Sequence, residues 1–216
     1  MLQRRTVTCQ PPARKVAPTA TLRNVLGDLL ATPGVEEVCE LGSRFGFMAL
    51  HGGNLERGTD TIARAAADAA GASFYAVVQP PDLRWHVPSV AYDPKDSPCL
   101  ATFLAHVDTV VTVHGYGREG LWATLLVGGR NRPLASRLGR ELRAQLGDGF
   151  TVLDDLLSIP RPLRGLHARN PVNLPRLGGA QLELPPRVRP GTGVPTYEPS
   201  YSDAIVAALA SVATTP

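Results

Sequence analysis

Apolar positions recur along the chain with two periods, and the changes between them mark the elements. Over 21–31, Leu22, Val25, Leu26, Leu29 and Leu30 fall at helical spacing, with Thr21 as the expected cap and Pro33-Gly34 as the stop. Strands are expected at about 35–41 and at 46–51, where Gly46-Phe47-Met48-Ala49-Leu50 runs into His51. Thr59 or Asp60 should cap an alanine-rich helix that stops at Gly71, with Ile62, Ala66 and Ala70 on one small, close-packing face. Residues 72–78 read as a strand closed by Pro80-Pro81, and the stretch from there to Leu100, rich in Pro, Asp and Ser, reads as a long loop of the kind that often carries function. Strands at 107–113 and 121–127 follow, then a helix from Pro133 to about 147 on the spacing of Leu134, Leu138 and Leu142. A short strand at 150–153, a Pro- and Arg-rich connection at 158–178, a strand at 181–184 and a helix at about 202–213 complete the chain. Strands alternating with helices in this way predict an α/β sheet covered on both faces.

Composition narrows the class. With 216 residues, 44% of them hydrophobic, the chain can bury one good core, and a single domain over 21–216 accounts for it. Residues 1–20 read as a polar, proline-containing leader, either disordered or laid along the domain as an edge segment. The 22 basic and 19 acidic residues leave a formal charge of +3, and the arginines are scattered without an aromatic-basic module, so neither nucleic acid nor a membrane is an expected partner. A monomer is expected. Cys9, Cys39 and Cys99 form no C-x-x-C pair, which argues against a disulfide framework and a cysteine zinc site. No signal peptide is legible at the start, so the cytoplasm is the expected location, although release from the cell by lysis would leave no trace here.

The chemistry-bearing residues cluster at strand ends. His51 closes one predicted strand with Glu56 five residues on across a glycine turn, and His114 closes another beside Gly115. Catalytic zinc takes about three imidazole and carboxylate ligands and keeps one open position, a set that His51, Glu56 and His114 could supply from the place where α/β sheets hold ligands. On spacing alone they are equally ordinary strand-end polar residues, because His-x4-Glu is not diagnostic. Along 181–184 the period of two sends Gln181 and Glu183 to one face and the leucines to the other. Glu183 in an apolar strand is either a general base facing a site or a solvent-facing edge residue.

The stretch Phe47-Met48-Ala49-Leu50-His51-Gly52-Gly53-Asn54-Leu55-Glu56-Arg57-Gly58-Thr59 resembles the His-Gly-Gly-x-x-Glu-x-Gly-Thr signature of the poly-γ-glutamate hydrolase family, known from bacteriophages and bacteria. Leu83-Arg84-Trp85-His86-Val87-Pro88-Ser89, Tyr92-Asp93-Pro94, Val111-Thr112-Val113-His114-Gly115, Val127-Gly128-Gly129, Asn170-Pro171-Val172-Asn173 and Gly179-Ala180-Gln181-Leu182-Glu183-Leu184 follow in the family's order, so the likeness covers about residues 45 to 187. The resemblance implies a single-domain mixed sheet similar to the zinc carboxypeptidases. It also implies a zinc-dependent hydrolase that cleaves γ-glutamyl amide bonds with metal-activated water. It would place zinc on His51, Glu56 and His114, make Glu183 the general base, and assign His86 to substrate contact, to the oxyanion or to tying down its own loop. Arg130, Asn131, Arg169 and Asn173 are candidates for the oxyanion. An anionic polymer should meet a cleft with several cations, for which Arg130, Arg132, Arg169, Arg176, Arg187 and Arg189 are available on predicted loops. Two other readings use the same residues: a zinc amidase or deacylase acting on small N-acyl amino acids, and a non-catalytic binding protein of the same fold.

Overall fold

A computed structural model describes residues 5–7 and 24–214. Eight strands form one mixed sheet: β1 (Arg5–Thr6), β2 (Glu36–Leu41), β3 (Ser43–Gly53), β4 (Ala72–Gln79), β5 (Thr109–Gly115), β6 (Thr124–Gly128), β7 (Thr151–Leu153) and β8 (Gly179–Leu184). Their spatial order is β1-β2-β4-β3-β5-β8-β6-β7. The centre, from β4 through β3 and β5 to β8, is parallel, whereas β2 runs antiparallel to β4 and β6 antiparallel to β8. Among the described residues the α-helices are α1 (Val25–Leu30), α2 (Thr59–Ala70), α3 (Pro98–His106), α4 (Arg132–Leu146) and α5 (Pro199–Thr214).

Both faces of the sheet are covered, as the alternation predicts. Phe47 and Ala49 of β3 pack with Ile62 of α2, Leu138 of α4 and Ile205 of α5, while Met48 and Leu50 face Leu26 of α1 and Phe103 of α3. Buried on both sides, the central strands carry continuous apolar runs rather than alternating ones.

Several local expectations need correction. The first helix is capped by Asn24, whose side chain accepts from the Gly27 amide, and the expected cap Thr21 lies outside the described residues. Gly58, in a left-handed turn, precedes α2 without a side-chain cap. The hydroxyl of Thr59 turns back onto the carbonyl of Glu56, and Asp60 accepts from the Gly53 amide, so both polar groups are spent on the preceding turn. The loop after β4 ends in a helix the periodicity missed: Ser97 accepts from the Leu100 amide, and Pro98 at the first position opens α3. Of the expected leader, Arg5 and Thr6 pair with Leu41 and Glu40 at the sheet edge. Cys39 is buried and free, and burial beside Glu37 and Glu40 pushes its thiol up to about 12. Cys99, by contrast, is disulfide-bonded, against the expectation from cysteine spacing, which carries no information on which thiols the fold brings together.

Candidate active site

The site lies at the carboxyl ends of the parallel strands. His114 of β5 stands opposite Glu183 of β8 in register, so their side chains share a face. His51 reaches the same site through an irregularity. Between the pairs Ala49↔Ala76 and Gly52↔Val78, two residues of β3, Leu50 and His51, stand against the single residue Val77 of β4. A bulge of this kind breaks the period of two and re-aims a side chain. His51 thereby sits with Val87 and Tyr92, on the α1/α3 side of the sheet, instead of following Phe47 and Ala49 to the other.

One nitrogen or oxygen from each of His51, Glu56 and His114 lies within 4.8 Å of the others. His51 Nδ1 is 2.8 Å from Glu56 Oε1, His114 Nδ1 is 3.2 Å from Oε2, and the Gly115 amide donates to Oε2 at 2.8 Å. On its far side His51 Nε2 is 2.8 Å from the carbonyl of Val87. A carbonyl only accepts, so Nε2 carries the proton and a neutral His51 turns a bare lone pair toward a carboxylate oxygen. Two lone pairs at that distance need a positive charge between them, either a second ring proton or a cation. Buried His114 Nε2 has no hydrogen-bond partner among the described residues. Two imidazoles and a carboxylate, one ring fixed from behind by a carbonyl, form a donor set that fits a zinc-type cation.

The electrostatics agree with the geometry. Burial would raise the Glu56 carboxyl, but the charges and hydrogen bonds of His51 and His114 outweigh it and hold it well below the usual carboxylate range. For His51, burial lowers the ring and Glu56 more than restores it, so the net shift is upward. Glu183 is pushed up to about 7, first by burial and then by Glu56, against the opposing pull of His114. It is 4% exposed between β5 and β8's other neighbour β6, which excludes the solvent-facing edge alternative. Gln181, two residues earlier on the same face, donates to Glu183 Oε1 at 2.9 Å and accepts from Asn170.

A cleft of about 980 Å³ opens above these groups, with His86, Pro88, Ser89 and Val90 along one side and residues 161–167 along the other. The exposed ring of His86 lies 4.9 Å from that of His51. Burial and the neighbouring His51 lower its affinity for a proton.

None of the residues expected at the oxyanion or as cleft cations, Arg130, Asn131, Arg132, Arg169, Asn173, Arg176, Arg187 and Arg189, is among those lining the cleft. Asn131 caps α4, accepting from the Leu134 amide and donating to the Leu177 carbonyl. Asn173 donates to the carbonyls of Gly165 and His167 and accepts from the Arg130 amide. Arg187 lies over the rings of Phe150 and Tyr201, and Arg130 and Arg169 are exposed outside the cleft. Strand direction explains the miss for Arg130 and Asn131. Because β6 runs antiparallel to β8, the loop that leaves it emerges at the amino end of β8, where the Asn131 amide donates to Gly179.

One contributor went unread in the sequence, the loop of residues 161–167 along one side of the cleft. Arg189, one of the arginines expected to face the cleft, is instead 6% exposed, and its Nη1 donates to the Arg57 carbonyl at 2.7 Å. A Cβ on Gly115 would stand 2.5 Å from that nitrogen, so the glycine after His114 makes room for a guanidinium. The pairing of a small residue after His114 with a distant arginine is a tertiary contact, and only Gly115 itself signalled it.

The family model described as poly-gamma-glutamate hydrolase matches residues 31–192. The chain belongs to that family. Among solved structures, that of a bacteriophage poly-γ-glutamate hydrolase is 20% identical, with a TM-score of 0.67 over 85% of this chain and 92% of the other. The zinc-free apo form of YNDL is 23% identical, with a TM-score of 0.62 over 80% of this chain and 87% of the other. Both establish the fold. Among curated proteins no match is found. Membership of the poly-γ-glutamate hydrolase family makes the chain an amide hydrolase, and no helix among the described residues is long and apolar enough to cross a membrane.

Proposed function

We propose that this member of the poly-γ-glutamate hydrolase family is a zinc enzyme that cleaves γ-glutamyl amide bonds of poly-γ-glutamate. The observation that carries the reading is the convergence of His51, Glu56 and His114 beside the buried carboxyl of Glu183. YNDL, named in a zinc-free apo form, supports zinc as the metal. Bound by His51, Glu56 and His114, zinc would supply a Lewis acid for the scissile carbonyl and acidify water near neutral pH.

The chain's own groups then divide the work. The Val87 carbonyl holds His51 in the tautomer that presents Nδ1. Gln181 fixes Oε1 of Glu183, leaving Oε2 free of hydrogen bonds among the described residues. A carboxyl poised near neutrality can take a proton from the attacking water on Oε2 and return it to the leaving amide nitrogen. His86, at the cleft edge, can donate to the substrate carbonyl or to the oxyanion.

Incubation of the zinc-loaded chain with poly-γ-glutamate, followed by gel sizing, tests the substrate. Progressive shortening is expected. Unchanged polymer, together with turnover of small N-acyl amino acids, would move the activity to the deacylase class.

A further inference from the structure

We propose that Arg164 sets the substrate preference of the cleft by taking a carboxylate of the bound chain between its two terminal nitrogens. The inference rests on the γ-glutamyl reading and adds the residue that recognises the free α-carboxylates such a polymer carries along its length.

Arginines are plentiful in this chain, yet among the described residues only Arg161 and Arg164 line the cleft. Others are committed elsewhere. Arg44 and Arg176 pair with Asp108, Arg64 with Glu40 and Arg143 with Asp154, while Arg132 is spent on backbone carbonyls. An anionic chain entering a cleft whose floor holds Glu56 and Glu183 needs cations on the wall.

Arg164 is held for that task in a way Arg161 is not. Its carbonyl accepts from the Gly129 amide at 2.8 Å, and a Cβ on Gly128 would stand 2.3 Å from the same oxygen. The Gly128-Gly129 pair is therefore the seat of this loop. The next residue, Gly165, has φ +64°, and a Cβ there would be 2.6 Å from Oε1 of Gln181, the residue that holds Glu183. Asn173 clamps the carbonyls of Gly165 and His167 from outside. The Arg164 side chain is fixed by Nε, which donates to the Ile159 carbonyl at 2.8 Å, and its terminal nitrogens make no hydrogen bond or ion pair among the described residues. A guanidinium anchored by Nε on a cleft-lining residue, with terminal groups free of hydrogen bonds among the described residues, offers the flat fork that matches a carboxylate.

The test measures binding, so that it does not depend on turnover. In the Glu183→Gln background, a γ-linked glutamate oligomer and its methyl-esterified counterpart are titrated into the full chain by calorimetry, with and without Arg164→Met. The acidic oligomer is expected to bind about 10- to 100-fold more weakly to the Arg164→Met protein, and the ester to be indifferent to the change. Arg164→Lys, which keeps the charge and loses the fork, should fall between and covers the case in which the methionine variant does not fold. Equal weakening of both oligomers would make Arg164 a loop anchor only and overturn the proposal. Unchanged binding of the acidic oligomer would overturn it while leaving the hydrolase reading intact wherever the wild type shortens the polymer. Failure of the parent to bind the acidic oligomer, with no cleavage by the wild type, would overturn both.

Discussion

Glu183 sits where opposing influences nearly balance. Burial and Glu56 raise its carboxyl to about 7, and His114, its register partner, pulls the other way. Replacing it with glutamine keeps the shape and the bond to Gln181 while removing the base, so hydrolysis should fall by about 10²- to 10⁴-fold with the fold retained. Retained turnover would remove Glu183 from its role. The same shift predicts a pH signature in the metal-free protein. A carboxyl with a folded pKa near 7 and an ordinary value near 4.5 holds its proton longer in the folded state. The stability it contributes is complete below about 4.5 and is lost as pH rises through about 7, by on the order of 3 kcal/mol. Urea unfolding at pH 5 and pH 8 should therefore show metal-free wild type losing stability relative to Glu183→Gln; parallel behaviour of the two would contradict the shift. At this scale the sequence was informative. Gln181 and Glu183 do share a face, because the period of two holds inside a buried strand. Arg189 reads in the sequence only as one of several loop arginines, because its place beside Gly115 is set by the fold.

At the scale of elements, local irregularities aim the groups. The bulge in β3 carries His51 to the face of Val87, a turn that strict alternation would have refused. The seat formed by Gly128 and Gly129 fixes the loop that lines one side of the cleft. Gly129 has φ +91°, and a Cβ there would stand 2.4 Å from the Gly179 carbonyl. Gly129→Ala should accordingly cost about 2–4 kcal/mol in chemical denaturation, from backbone strain and the displaced strand end together. A change within experimental error would show that Gly129 does not stand against the start of β8 in this conformation. Helix α3 was missed because its short apolar run follows a proline-rich loop, and its start depends on the Ser97 cap rather than on periodicity. Arg130 and Asn131 were placed at the site for a related reason. A strand end reads the same whichever way the strand runs, and β6 runs against its neighbour β8.

For the molecule as a whole, the alternating pattern sufficed for an α/β sheet with two covered faces, since it depends on where apolar surface must go. The strand order and the antiparallel β2 and β6 were not legible, because pairing is decided by tertiary contacts that leave no period in the sequence. The likeness of ordered motifs was informative where periodicity was not, and the family match over residues 31–192 accords with it. Zinc binding by His51, Glu56 and His114 underlies the proposed hydrolase chemistry. It is tested most directly by elemental analysis of the purified chain after equilibration with zinc and removal of the excess. About one zinc per chain is expected for wild type and Glu183→Gln, and close to none for His51→Ala or His114→Ala. A folded wild type that retains no zinc, or histidine variants that retain it fully, would overturn the proposed metal centre.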